Sequence, residues 1–392
     1  LLLLDVRRAL QTGRLSLRLN NSVVGLIVAL LFVSALAAAT VAVNSSNYDG
    51  PGALYVAITP YVMLFPCMWI VVTQRIDKPR LIALLHTTVH VVLAADIVVS
   101  LLQIVYLTFI DPSGYIFIEN QRLNSVAQFS DIRLVGLFAS GLDHGFFLTI
   151  SALFSWILMA EKKISKFRFV ATLIVISILV YFTYTRTAYL VYMVALSFII
   201  GSYCIRRFGM VGIVAIIVML GLFGGILFEA ADAEKAVSGL VNSKSLLNLQ
   251  TLESRYGSWS YYRDLLDGSP ETILTGNALL QSAFPFVKSP PPLIDNLYLS
   301  LVLYGGVLFL VLYSLFMSNF ALVFLSAYRR LRTSEFDTRL YLSLSISVVI
   351  VAIVGCSATV WDLLSIGLPA TVLWALGWSY IRESRRLQAL GL

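Results

Sequence analysis

The chain alternates between long apolar runs and short polar gaps. Ten runs stand out, at roughly 22–43, 53–73, 81–108, 134–160, 168–185, 187–205, 208–228, 296–325, 340–360 and 364–381. Most are about as long as a helix that crosses a hydrocarbon core, which takes roughly 20 residues. Inside a bilayer no water satisfies the backbone, so each such run must be a helix. The pattern therefore predicts an all-α polytopic membrane protein with about ten transmembrane helices. One stretch breaks the pattern. Between Glu229 and Asp295 the chain stays polar, far longer than a connecting turn needs. Three regions follow: residues 1–228 with the first seven spans, a large loop over 229–295, and 296–392 with the last three spans and a basic tail.

Composition agrees. Hydrophobic residues make up 59% of the 392 and charged residues only 12%, half the share of a soluble domain, roughly 25%. Charge then orients the chain. With the N-terminus inside, the cytoplasmic side holds 20 of the 28 Lys and Arg residues, including Arg7, Arg8, Arg14, Arg18, Arg329, Arg330, Arg385 and Arg386. That is the positive-inside pattern, and it places both termini in the cytoplasm. The net charge of +7 is thus a topology signal and implies no nucleic-acid partner. Cys67, Cys204 and Cys356 are odd in number, widely spaced and set in apolar runs, which suits packing better than disulfide or metal chemistry.

The remaining basic residues need another reason. Arg133, Arg186, Arg255 and Arg263 fall on the outer side or at outer helix ends. Two guanidiniums can clamp phosphate oxygens through forked hydrogen bonds. In the long loop, Arg255, Trp259 and Tyr262 recur at helical spacing, as in a short amphipathic helix at the membrane interface. A cationic outer cavity of this kind suits a lipid-linked diphosphate. The bland readings stay open: Arg186 as a snorkelling residue, the 251–267 stretch as a lipid-headgroup helix, and Asp295 and Asn296 as caps of the eighth span.

Asp143 and His144 lie ten and eleven residues beyond Arg133, about 15 Å deeper along an unbroken helix; Gly136, Gly141 and Gly145 would let this helix pack closely or break, which changes that depth. Asp143 and His144 read equally as a structural hydrogen bond or as a base for a hydroxyl. Asp96 reads as the partner of a neighbouring helix. His86 and His90 share a face but lack a third ligand, so they read as structural. Gly276, in the Thr275–Asn277 turn, is expected to open a backbone position to a ligand, and the eighth span, longer than a bilayer needs, to tilt or to bend near Gly305–Gly306. No phosphate-cradling glycine loop and no Asp-x-Asp metal pair is present, so neither a nucleotide sugar nor a metal cofactor is expected.

These residues carry a resemblance. The stretches Arg133–Phe138, Thr185–Ala188 and Arg255 with Trp259, the turn at 275–277, and Asp295–Leu299 followed by Gly305–Gly306 resemble, in order, the O-antigen polymerase/ligase superfamily. That family contains the Wzy-type polysaccharide polymerases and the O-antigen ligases. The resemblance implies a fold like the metal-independent branch of C-type (GT-C-like) membrane glycosyltransferases. It also implies a polymerase that joins undecaprenyl-diphosphate-linked oligosaccharides at the periplasmic face of the bacterial cytoplasmic (inner) membrane, with membrane lipids and a chain-length regulator as partners. Arg133, Arg186, Arg255 and Arg263, with Trp259, Tyr262 and Asn296, would bind the diphosphate substrate. Asp295, His144 or Asp143 would orient or deprotonate the acceptor. Ligases of the family carry a histidine where this chain has Asp295, which favours a polymerase. A ligase-type transferase and a lipid-linked oligosaccharide flippase or transporter are the alternatives.

Overall fold

The computed structural model describes residues 15–43, 50–109, 134–208, 257–264, 273–276 and 296–390, apart from positions 139, 184, 258, 275 and 332 and the segment 357–363 within those ranges. Among the described residues all regular structure is helical. Four helical stretches are long and apolar enough to cross a membrane: Lys78–Tyr106, Gly141–Ala160, Leu297–Arg330 and Glu335–Gly355. The protein is a membrane-embedded helical protein.

The elements, in order, are α1 (Leu15–Val43), α2 (Gly50–Thr73), α3 (Lys78–Thr87), a π-helical turn (Thr88–Val92) and α4 (Leu93–Phe109). Then come α5 (Gly141–Ala160), α6 (Lys166–Phe182), α7 (Arg186–Phe208), α8 (Leu297–Arg330), α9 (Glu335–Gly355) and α10 (Leu364–Ala389). Each overlaps an apolar run read from the sequence. The seventh run, 208–228, the 109–133 loop and most of 229–295 lie outside the described residues.

The chain divides into two compact units: residues 1–84 with 258–392, and residues 85–257. The division falls inside α3.

In the first unit α1 packs on α2 and α8, α2 on α10, and α8 on α9. Its centre is aromatic. Phe316, Phe320 and Trp374 are fully buried, and the Phe320 ring lies 5.0 Å from Phe316 and 5.7 Å from Trp374. The Trp374 indole N–H donates to Ser347 Oγ at 3.0 Å; a buried indole needs such a partner. Hydroxyls in apolar helices are likewise satisfied locally, Ser34 Oγ donating to Leu30 O at 2.8 Å. That is how a helix carries serine through a medium without water.

Ser334 and Asp337 form a reciprocal capping box at the start of α9. Asp337 is buried. Its Oδ2 accepts from Thr333 Oγ1 at 2.8 Å, from Ser334 Oγ at 2.7 Å and from Ser334 N at 3.1 Å. Its Oδ1 accepts from the Tyr380 hydroxyl of α10 at 2.6 Å. One carboxylate thus caps α9 and ties it to α10. Asp337→Ala would leave several buried donors unmet, and about 2–4 kcal/mol of stability should be lost. Asp337→Asn keeps the acceptor toward Ser334 and should cost clearly less. Thermal unfolding of the two purified variants in one detergent checks the order. Arg382 contributes to the same unit by closing the end of α2: its guanidinium donates to Val71 O at 2.8 Å and Gln74 O at 2.6 Å, satisfying carbonyls with no partner in the helix.

Two helices depart from the expected runs. α8 is interrupted at Gly305 (φ −133°, ψ 20°) and Gly306 (φ 73°, ψ −175°). The bend expected at this glycine pair is therefore present, and Val307–Arg330 alone is long enough to cross about 30 Å of hydrocarbon. The fourth run was expected to be helical from 134, yet α5 starts only at Gly141. Residues 134–138 form a non-helical segment in which Leu134 and Gly136 are buried. Ser140 is the cap, its hydroxyl accepting from Asp143 N at 3.2 Å, and Gly136 turns the chain at a positive φ of 56°.

Candidate functional site

In the second unit α5 packs against α6 and α7, and α5 also meets the π turn ahead of α4. The close approach of α5 to α7 depends on small residues. A Cβ on Gly145 would overlap the Cβ of Ala188. A Cβ on Gly141 would lie 2.8 Å from both Thr183 O and Thr185 Oγ1. The first turn of α5 therefore sits directly on the corner between α6 and α7. The non-helical segment reaches the same corner, because Leu134 N donates to Phe182 O at 2.9 Å.

That corner brings two sequence motifs together. Arg133 immediately precedes Leu134, and Arg186 is the first residue of α7, next to Thr185. The two stretches lie some fifty positions apart in sequence, and their backbones are in contact.

Beneath the corner is a buried polar cluster. Asp96 of α4 and His144 of α5 are both fully buried, and the imidazole Nε2 lies 2.8 Å from Asp96 Oδ2. The other carboxylate oxygen, Oδ1, accepts from Leu137 N at 2.9 Å. His144 Nδ1 lies 3.4 Å from Leu134 O. Gln103, also buried, grips the turn: its Nε2 donates to Gly136 O at 3.0 Å and its Oε1 accepts from Gly136 N at 3.0 Å. This primary amide binds the turn's backbone as a neighbouring strand would.

The geometry revises the sequence reading of Asp143 and His144. With the helix starting only at Gly141, both stand in the first turn of α5 rather than about 15 Å further along it. The residue paired with His144 is Asp96, not Asp143. Asp143 is buried at the N-terminal end of α5, where the helix dipole favours a carboxylate. Gln103 escaped the sequence reading. A signal was present, because Asp96 and Gln103 are polar, seven apart and hence on one face of an apolar helix.

The other predicted site residues belong to the long loop and the start of α8. Residues 259–264 are helical, as the spacing implied. Tyr262 is wholly buried, while Tyr261, Arg263 and Asp264 face outward and Trp259 is half-buried. Burial, with a smaller push from Tyr261, raises the Tyr262 phenol well above its usual range, so it serves as a neutral hydroxyl. Arg263 lies 3.6 Å from Asp264, both well exposed, a pairing worth at most about 1 kcal/mol. Asn296 caps α8, its Oδ1 accepting from Leu299 N at 3.0 Å. Asp295, Arg255 and Arg133 lie outside the described residues, as does the Arg186 side chain.

Gly276 reverses an expectation. Its φ is +71°, as a turn glycine requires, but the space beside it is filled by the chain itself. A Cβ there would lie 2.5 Å from Tyr304 O and 2.6 Å from Gly305 N. What approaches is the backbone of α8 at its break.

His86 and His90 stack at 3.9 Å between ring centroids. Among the described residues no three His, Cys, Asp or Glu side chains gather as metal ligands. No protein-family model matches this chain, and no curated protein matches it.

Proposed function

We propose that the protein is an integral-membrane glycosyltransferase of the polymerase kind, with a GT-C-like fold and a catalytic face on the periplasmic side of the bacterial inner membrane. It would join oligosaccharide repeat units carried on undecaprenyl diphosphate. One observation carries the reading: the segment that follows Arg133 and the segment that precedes Arg186 are in backbone contact at the foot of α5 and α7. In the sequence Arg133 immediately precedes the first of these segments and Arg186 immediately follows the second. A diphosphate is the ligand for such a corner, with its bridging and terminal oxygens shared between guanidiniums.

The reaction is a displacement at the anomeric carbon of the donor sugar. An acceptor hydroxyl forms the new C–O bond. The bond from that carbon to the diphosphate breaks and its electron pair leaves with the phosphate oxygen. The hydroxyl proton passes to a protein base. Arg133, Arg186 and Arg255 act on the departing charge, electrostatic stabilisation in a site with little water. His144 is committed to Asp96 and is a poor base; Asp295 is the stronger candidate from sequence, and its identity there supports a polymerase over a ligase.

Arg186→Ala and Arg255→Ala, each produced at normal level, should abolish surface glycan longer than one repeat, a fall in transfer of roughly 100- to 1,000-fold. A normal ladder of long chains from either variant overturns the assignment. A ligase would leave polymer on the lipid carrier when deleted, whereas a polymerase leaves single-repeat caps.

Two observations favour a second reading, a proton-coupled transporter of the same lipid-linked glycan. α8 is broken at Gly305–Gly306, and an Asp–His pair is buried among apolar helices. Both are features of transporters. Purified protein given lipid-linked repeat units and no ion gradient separates the two: longer glycan exclude a pure transporter.

A further inference from the structure

A helix running unbroken from residue 134 would satisfy its own backbone and need no partner. The chain instead leaves 134–138 out of the helix and surrounds the turn with an Asp, a His and a Gln, all buried. Burying three such side chains among apolar helices is costly unless each is fully bonded. Here the bonds close on one another. Asp96 holds Leu137 N and His144 Nε2, and Gln103 holds both polar groups of Gly136. The turn is pinned at two consecutive residues from α4 and braced by the first turn of α5. At its far end Leu134 N reaches Phe182 O.

From this arrangement we infer that Asp96, Gln103 and His144 are positioning residues that fix the backbone that follows Arg133 beside the start of α7. They act through the turn and do not themselves touch substrate. A flexible connection would let that arginine sample many positions. A pinned one holds it ready for charge that develops during transfer, and misplacement by about 1 Å can cost on the order of 100-fold in rate. This inference rests on the reading of Arg133 and Arg186 as diphosphate ligands.

Two measurements test it. In the first, purified protein is assayed with lipid-linked repeat units. Gln103→Leu should lower turnover about 10- to 100-fold with little change in KM. In an Arg133→Ala background the same substitution should lower turnover less than about 3-fold, because residues acting as one unit are non-additive. Equal losses in both backgrounds overturn the inference. Asp96→Asn, which keeps volume and the acceptor for Leu137 N, replaces Gln103→Leu in this cycle if the latter does not accumulate. The second measurement needs no activity. A spin label is attached through Arg133→Cys in a chain whose Cys67, Cys204 and Cys356 are alanine. Its spectrum should show an immobilised label with Gln103 present and a mobile one with Gln103→Leu or Asp96→Asn. Identical spectra overturn the inference. If the wild-type protein forms no product, the polymerase reading falls, while the label still decides whether the turn is clasped.

Discussion

Gly136→Ala should be among the most damaging single-methyl changes in the chain, costing more than about 4 kcal/mol. Three effects add. The residue sits at a φ of +56°, where an L side chain is strained by about 1–2 kcal/mol. The new Cβ would fall inside the contact shell of Asp96 Oδ1 and 2.8 Å from His144 Nε2. Neither atom can retreat cheaply, because Oδ1 accepts from Leu137 N and Nε2 is bonded to Oδ2 of the same carboxylate. Moving them apart strips the hydrogen bonds of a buried carboxylate and imidazole, and a buried charged group left unpaired is the larger penalty. Gly25→Ala is the control. Nothing lies within 4 Å of a Cβ there, and the position is exposed within α1. Alanine should therefore stabilise that helix by up to about 1 kcal/mol. Opposite shifts in the thermal unfolding midpoint, measured in one detergent, are expected. A Gly136→Ala protein as stable as the wild type would show that the clasp is not formed.

The same glycine explains what could be read from the sequence and what could not. Hydropathy located the helices because lipid imposes a length and a composition that survive as long apolar windows. It failed between Leu134 and Ser140 because that segment is as apolar as the helix it precedes. A buried turn and a helix then look alike to any scale of transfer energy. The signals that separate them are local: a glycine at 136 and a serine at 140, four residues before His144. The Gly305–Gly306 bend was legible for the same local reason. Asp96 was legible only as a residue in need of a partner, since His144 stands 48 positions away and nothing in the pattern of α4 names it. Gln103 was passed over because an uncharged amide in a long apolar run draws no attention, although seven residues from Asp96 it shares that face. At Gly276 the turn was legible but its occupant was not. A glycine that admits a close approach does not reveal whether a ligand or a backbone approaches.

Gly276→Ala is the second large effect, and it should separate stability from transfer. The turn is set at a φ of +71°, and a Cβ would meet Tyr304 C at 2.6 Å as well as the carbonyl oxygen and the next amide nitrogen. These are main-chain atoms, so relief requires either the turn or α8 to move. Gly305 differs in its backbone: its φ of −133° lies outside the left-handed region, so an added Cβ, 2.8 Å from the Phe309 Cβ, brings a clash without backbone strain. Gly276→Ala should therefore undock the turn from the break in α8, while α1, α2, α9 and α10 keep their packing around the aromatic centre. The expected result is a modest fall in the unfolding midpoint, about 2–3 kcal/mol, with transfer reduced at least tenfold and cleavage by protease within 265–295 made faster. Gly305→Ala should lower transfer less than Gly276→Ala does. If the two substitutions behave alike, or if Gly276→Ala leaves both transfer and cleavage unchanged, the contact between the turn and the broken helix has no part in the reaction.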